Sequence, residues 1–309
     1  MVLRFGIGGN GMVRGRKTVR SVSMLSLGIM LSVALILGVS PGVQAWGNGG
    51  YSSDPSNPDY GIHDWIAEEA LGLQTLDVGF LTTTYHTEYL YGTEWPDNTS
   101  NIGDSFNHIF YYYSTGLVQN DVCADRAQAM YDQALGYLIS LDFRNAAYYI
   151  GAMTHYVADV GVFGHTMGAP TDWGTEVHHT DYETWFNDNI GSLSSPTGIL
   201  LLDVSAYEVT SSLAFDITFG DGPIRSNVWM DANYNELDPE FVTSALASLN
   251  ASVEAVGAAI NHLILEAGAV IPEFGSPTTV VLVLLAVMVV VMLPRCRSGS
   301  SRDDGFARF

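Results

Sequence analysis

The stretch from 155 to 183, HYVADVGVFGHTMGAPTDWGTEVHHTDYE, carries five metal-type ligands in the order His155-x3-Asp159-x5-His165-x13-His179-x3-Glu183. Residues four apart lie above one another on a helix, so His155/Asp159 and His179/Glu183 read as two helical pairs. Each pair presents an imidazole beside a carboxylate, which is half of a coordination shell for zinc. The flanking residues agree. The run 145–160 is rich in Ala, Tyr and Met, and 176–187 has Tyr182, Trp185 and Phe186 as its apolar positions. His178 competes with His179, but only His179 has a carboxylate four residues on. Glu176 and Asp181 read as solvated face residues.

Outward from this stretch the pattern stays helical. Helices are expected over 62–73, over 121–139 with an acidic first turn, and over 239–266 with Pro239 near the start. The Ser-, Pro-, Asp- and Asn-rich segment 51–60 reads as a loop. No alternation demands a sheet, although 198–209 and 214–229 fit either state. The expectation is a single all-α domain.

The two ends read differently. Residues 1–45 read as a signal peptide: Arg14, Arg16, Lys17 and Arg20 precede the apolar run 24–39, and Val43-Gln44-Ala45 suits cleavage. Cutting after Ala45 makes Trp46 the mature N-terminus. Residues 271–309 read as a surface-sorting or transmembrane tail. There, Ile271-Pro272-Glu273-Phe274 precedes the apolar run 280–293, and Arg295, Arg297, Arg302 and Arg308 follow it. Ile271–Phe274 resembles the Pro-Glu-Phe sorting tails of archaeal surface proteins. The protein is expected to be exported and held at the cell surface, with the tail meeting the membrane.

Between these ends lies a body, 46–270, large enough for one core. Its single cysteine is Cys123 and the other, Cys296, follows the apolar run, so no intrachain disulfide is expected. The body holds three basic residues, Arg126, Arg144 and Arg225, against 30 acidic ones, a formal charge of −27 with no lysine. Such a surface repels nucleic acid, whose binding rests on Lys and Arg. High salt or bound divalent cations would relieve the self-repulsion.

A multinuclear site needs further ligands. His63 opens the first helix, Asp97 lies in Glu94-Trp95-Pro96-Asp97, with Asp104 as a competitor, and His108 sits among aromatic residues. Trp46 adds a free α-amino group if the signal is removed. His86 and His262 have no partner pattern and read as structural, and Tyr111 to Tyr113 read as core or cleft wall.

Taken together, Trp46, His63-x-Trp65-Ile66, Asp97, His108 and the run from His155 to Glu183 resemble the bacterial zinc-dependent phospholipase C family. The resemblance covers nearly the whole body. It implies a helical domain enclosing a cleft with three zinc ions. Asp97, His108, His155 and Asp159 would hold one ion. The Trp46 amino and carbonyl groups, His63 and a shared Asp159 would hold the second. His165, His179 and Glu183 would hold the third. The resemblance also makes Asp97 the catalytic residue that orients the attacking water. Gly49, Asn98 and Ser105 stand roughly where the best-known members line a choline pocket with acidic and aromatic residues, so no headgroup is implied.

The expected function is therefore phosphodiester hydrolysis, with phospholipid as substrate and a diacylglycerol-type product. Zinc provides an activated water at neutral pH and charge at the phosphate. Two alternatives remain at this stage. One is a three-zinc single-strand nuclease; its fungal examples place a histidine near Tyr51 and an aspartate at the position of Glu183. The other is a non-catalytic surface metal-binding protein.

Overall fold

The structure is a computed structural model and describes residues 59–97, 107–194, 196 and 202–270. The expected signal peptide, Trp46, Asp104 and the C-terminal tail lie outside the described residues. Eight α-helices are described: α1 (Ile62–Gly72), α2 (His86–Glu94), α3 (Val122–Ile139), α4 (Phe143–Asp159), α5 (His179–Asn189), α6 (Ala206–Phe219), α7 (Asn227–Ala232) and α8 (Pro239–Val270). A π-helical turn, Phe80–Thr84, precedes α2, and a 3-10 segment, Phe163–Thr166, follows α4. Strands β1 (Tyr111–Tyr112) and β2 (Val118–Asn120) form one short antiparallel hairpin. The fold is all-α in character, with helices both where sequence periodicity places them and in the two ambiguous runs.

Helix α4 is the centre of the bundle. Asp142 starts it by accepting the Asn145 N–H at 3.2 Å, satisfying one of the donors a helix start leaves open. From Gly151 to Asp159 every residue is buried. Helices α2 and α3 pack along its flanks, and α6 and α8 also contact it. Two ligand-type residues, His155 and Asp159, therefore stand in the densest part of the core. Unpaired charge there costs several kcal/mol, on the order of a large fraction of a domain's stability.

The turn between α3 and α4 is a Schellman motif: Asp142 N–H donates to the Tyr137 carbonyl and Leu141 N–H to the Leu138 carbonyl, both at 2.9 Å. Leu141 occupies its left-handed position with φ of 62°. At the other end of α4 the chain leans on α8. Ser248 Oγ donates to the Gly161 carbonyl, and a side chain on Gly161 would overlap Ser252 Oγ. This contact directs the 3-10 segment back toward the bundle.

One boundary differs from the sequence reading. The helix expected from 176 begins at His179, and the Val177 and His178 N–H groups just before it donate to Asp231 Oδ1 at 2.8 and 2.9 Å. A side chain from outside the segment thus satisfies backbone donors that no helix start would satisfy internally.

Candidate metal centre

Six elements deliver the side chains. His63 lies in the first turn of α1, whose buried face includes Ile62 and Ile66. Ile62 N–H donates to Asn187 Oδ1 at 3.0 Å, which ties this turn to α5. Asp97 follows α2, and His108 precedes β1. The last two turns of α4 carry His155 and Asp159. His165 lies on the 3-10 segment, and His179 and Glu183 lie one turn apart at the start of α5.

These residues gather into three groups: His63, His155 and Asp159; Asp97, His108 and His155; and His165, His179 and Glu183. Within each group one ligand atom per residue lies within 4.8 Å of the others, and every member is buried. Asp159 faces two ways. Its Oδ1 stands 3.2 Å from His63 Nε2, while its Oδ2 lies 2.6 Å from His108 Nδ1 and 3.3 Å from His155 Nε2. Asp97 Oδ1 lies 3.6 Å from both His108 Nδ1 and His155 Nε2. In the third group His179 Nε2 is 2.8 Å from Glu183 Oε1 and 3.3 Å from His165 Nε2.

The surroundings orient the rings. The Thr93 carbonyl lies 2.6 Å from His155 Nδ1, so Nδ1 carries the proton and Nε2 presents its lone pair to the other ligands. The His63 ring stacks on His155 with centroids 3.9 Å apart. Gly164 leaves room for His179, since a Cβ there would stand 2.7 Å from Nδ1 and Cδ2 of that ring.

Among the described residues, several of these buried atoms have no hydrogen-bond partner: both nitrogens of His63, Asp159 Oδ1, His165 Nδ1 and both oxygens of Glu183. Buried polar atoms are normally satisfied. Where such atoms do converge, as at His63 Nε2 with Asp159 Oδ1 and at Glu183 Oε1 with His165 and His179, they fit a cation, and N/O donors of this kind fit zinc.

Electrostatics differ from one ligand residue to the next. Burial pushes His63 down to about 3, helped by its neighbour His155. His165 is also lowered, first by burial and then by His179. Burial raises Asp97 to about 6. Burial opposes the charge on Asp159, but His155 and His108 outweigh it and hold the carboxyl well below its usual range. For His179 burial is again outweighed, here by Glu183 and Glu176, which raise it to about 10. His63 and His165 are thus held neutral and Asp159 ionised, the states a metal requires, whereas His179 is held charged by its two carboxylates and must give up a proton to ligate.

The other sequence candidates fall elsewhere. His178 turns outward, with Nδ1 3.0 Å from Asp181 Oδ2, so His179 is the member of the third group. Glu176 is not simply a solvated residue, because its Oε1 lies 3.9 Å from His179 Nδ1. His86 pairs with Glu68 at 3.1 Å, and His262 with Asp203 at 2.6 Å. Sequence gave no signal for Thr93, since its contribution is a backbone carbonyl.

The model of the zinc dependent phospholipase C family matches residues 62–218, just over half of the chain, and the chain belongs to that family. No curated protein matches it. Among solved structures the alpha toxin from Clostridium absonum is similar, with a TM-score of 0.51 and 13% sequence identity over 70% of this chain and 66% of the toxin. At that identity the likeness is one of fold, and the chain spans just under two thirds of the toxin's length.

Proposed function

We propose, from membership of the zinc-dependent phospholipase C family, that the protein is an exported, surface-held phosphodiesterase that cleaves phospholipid into a diacylglycerol-type product and a phosphorylated headgroup. The observation that carries this reading is Asp159, whose two oxygens face different ligands, His63 at 3.2 Å and His108 at 2.6 Å, in two groups that share His155. A carboxylate so placed suits a bridge between two cations, and the third group supplies another site. Three zinc ions bound there would provide Lewis acidity at the phosphate and an acidified water.

The chain's own residues have distinct parts in this proposal. Asp97, His108, His155 and Asp159 hold one ion. His63 and Asp159, with the Trp46 terminus once residues 1–45 are removed, hold the second. His165, His179 and Glu183 hold the third. Asp97 also orients the attacking water and takes its proton at a carboxylate oxygen; its Oδ1 stands 3.6 Å from both His108 Nδ1 and His155 Nε2, beside the ion they would share. The enclosing helices exclude bulk water, which strengthens each charge interaction. Residues 46–270 form the catalytic domain in this reading, and 271–309 retain it at the surface. Among the described residues no helix is long and apolar enough to cross a membrane.

One assay tests the proposal. Zinc-loaded protein beginning at Trp46 is offered a phospholipid, a soluble phosphodiester headgroup analogue and single-stranded DNA. Phospholipid turnover is expected. Turnover of DNA alone would replace the reading with a nuclease, and turnover of none would favour a non-catalytic metal-binding role.

A further inference from the structure

Resting on the zinc reading above, we infer that α7 is a brace for the third metal site, with Asn227 and Asp231 as positioning residues. Neither side chain belongs to a ligand group. Both instead hold the backbone immediately beside a ligand. Asn227, wholly buried, donates from Nδ2 to the Thr166 carbonyl at 3.0 Å and lies 3.3 Å from Thr166 Oγ1. Thr166 follows His165. One turn later Asp231 Oδ1 accepts the Val177 and His178 N–H groups at 2.8 and 2.9 Å. His178 precedes His179. The two residues are four apart, so one face of α7 grips both segments.

The third site needs such support. His165 stands on a 3-10 segment of four residues, and His179 is the first residue of α5. Short 3-10 segments have poor hydrogen-bond geometry, and a helix start has N–H groups without partners in the helix. Asp231 acts as a remote cap for α5, bringing a carboxylate to the positive end of the helix. The brace is itself anchored. Ser226 Oγ caps the Trp229 N–H, Met230 is buried, and Arg225 N–H donates to Ser244 Oγ on α8 at 2.8 Å. The His178 ring stacks on Tyr234, just beyond α7, with centroids 4.8 Å apart. Helix α8, the longest among the described residues, is thus linked through α7 to both segments that carry the site.

The test counts zinc rather than turnover. Wild-type protein, D231A, D231N and N227A are loaded with zinc, weighed intact by native mass spectrometry and titrated with a chelator. Wild type is expected to hold three ions, matching the three groups. D231A is expected to bind the third ion about 10–100-fold more weakly, the range seen when a residue supporting a metal ligand is removed. D231N keeps an acceptor oxygen and is expected to retain the ion. Wild-type affinity in D231A, or equal losses in D231A and D231N, would overturn the brace. N227A is expected to lose the same ion, and the Asp231 pair decides the matter should N227A not fold. Fewer than three ions in wild type would instead overturn the zinc reading, before any substitution is compared.

Discussion

Gly92 of α2 and Gly151 of α4 meet back to back: a Cβ on Gly151 would stand 2.9 Å from the Gly92 Cα and would overlap the Tyr89 carbonyl. This contact lets the helices approach until the Thr93 carbonyl reaches His155 Nδ1 at 2.6 Å. Gly151→Ala must push α2 away from α4. We expect a loss of about 1–3 kcal/mol or more, the usual cost of overpacking a core. Denaturant unfolding measures it, and an unchanged midpoint would show that the helices can part without cost.

Leu141 holds a left-handed conformation with φ of 62° while 51% exposed, so its side chain gives little packing in return. An L-residue there costs about 1–2 kcal/mol that glycine avoids. Glycine also loses more chain entropy on folding. Leu141→Gly is therefore expected to stabilise the fold by a net of about 0.5–1 kcal/mol. A lower melting temperature would contradict this.

Gly164 and His179 share one space, since a methyl group at 164 would meet the imidazole ring. In Gly164→Ala the ring must swing away from His165 and Glu183. The expected result is a folded protein with one zinc ion fewer, read by circular dichroism together with elemental analysis. Full zinc content would remove His179 from the proposed ligand set.

The two carboxylates of the paired groups make separable predictions. Asp159→Asn removes the proposed bridge, and zinc content is expected to fall by at least one ion. Asp97→Asn removes the proposed proton acceptor, and kcat is expected to drop by about 10²–10⁴-fold. If Asp97→Asn left kcat unchanged, the catalytic role assigned to it would fail, whatever its zinc content.

The body's charge of −27 predicts a salt response. Adding salt shortens the Debye length from about 30 Å at 0.01 M to about 3 Å at 1 M and screens self-repulsion. The unfolding temperature of zinc-loaded protein is expected to rise across that range. A fall would mean that attractive pairs such as Arg144 with Glu88, at 3.0 Å, outweigh repulsion.

Much of the helical pattern was legible because periodicity and helix-start residues act locally. The expected 121–139 and 62–73 helices appear as α3 and α1 within a residue. Helix α2 was not read, because its nine residues carry no clear apolar stripe and are held by the Gly92–Gly151 contact. The start of α5 lies later than local pattern suggests, and the backbone just before it is held by Asp231, far along the chain. Glu176 carries no local signal of a partner, since its approach to His179 depends on how the loop before α5 folds.

By itself the sequence determined a mostly helical domain, a strongly acidic body and two helical His–carboxylate pairs. Fixed chemistry and local geometry suffice for each of these, since residues four apart on a helix must share a face. Only the tertiary structure decided which ligand-type residues meet. It placed His63, Asp97 and His108 against the end of α4, aimed the two oxygens of Asp159 at different groups, and turned His178 away from His179. Those outcomes depend on helix crossings, and the crossings depend on small residues and remote hydrogen bonds that no local spacing encodes.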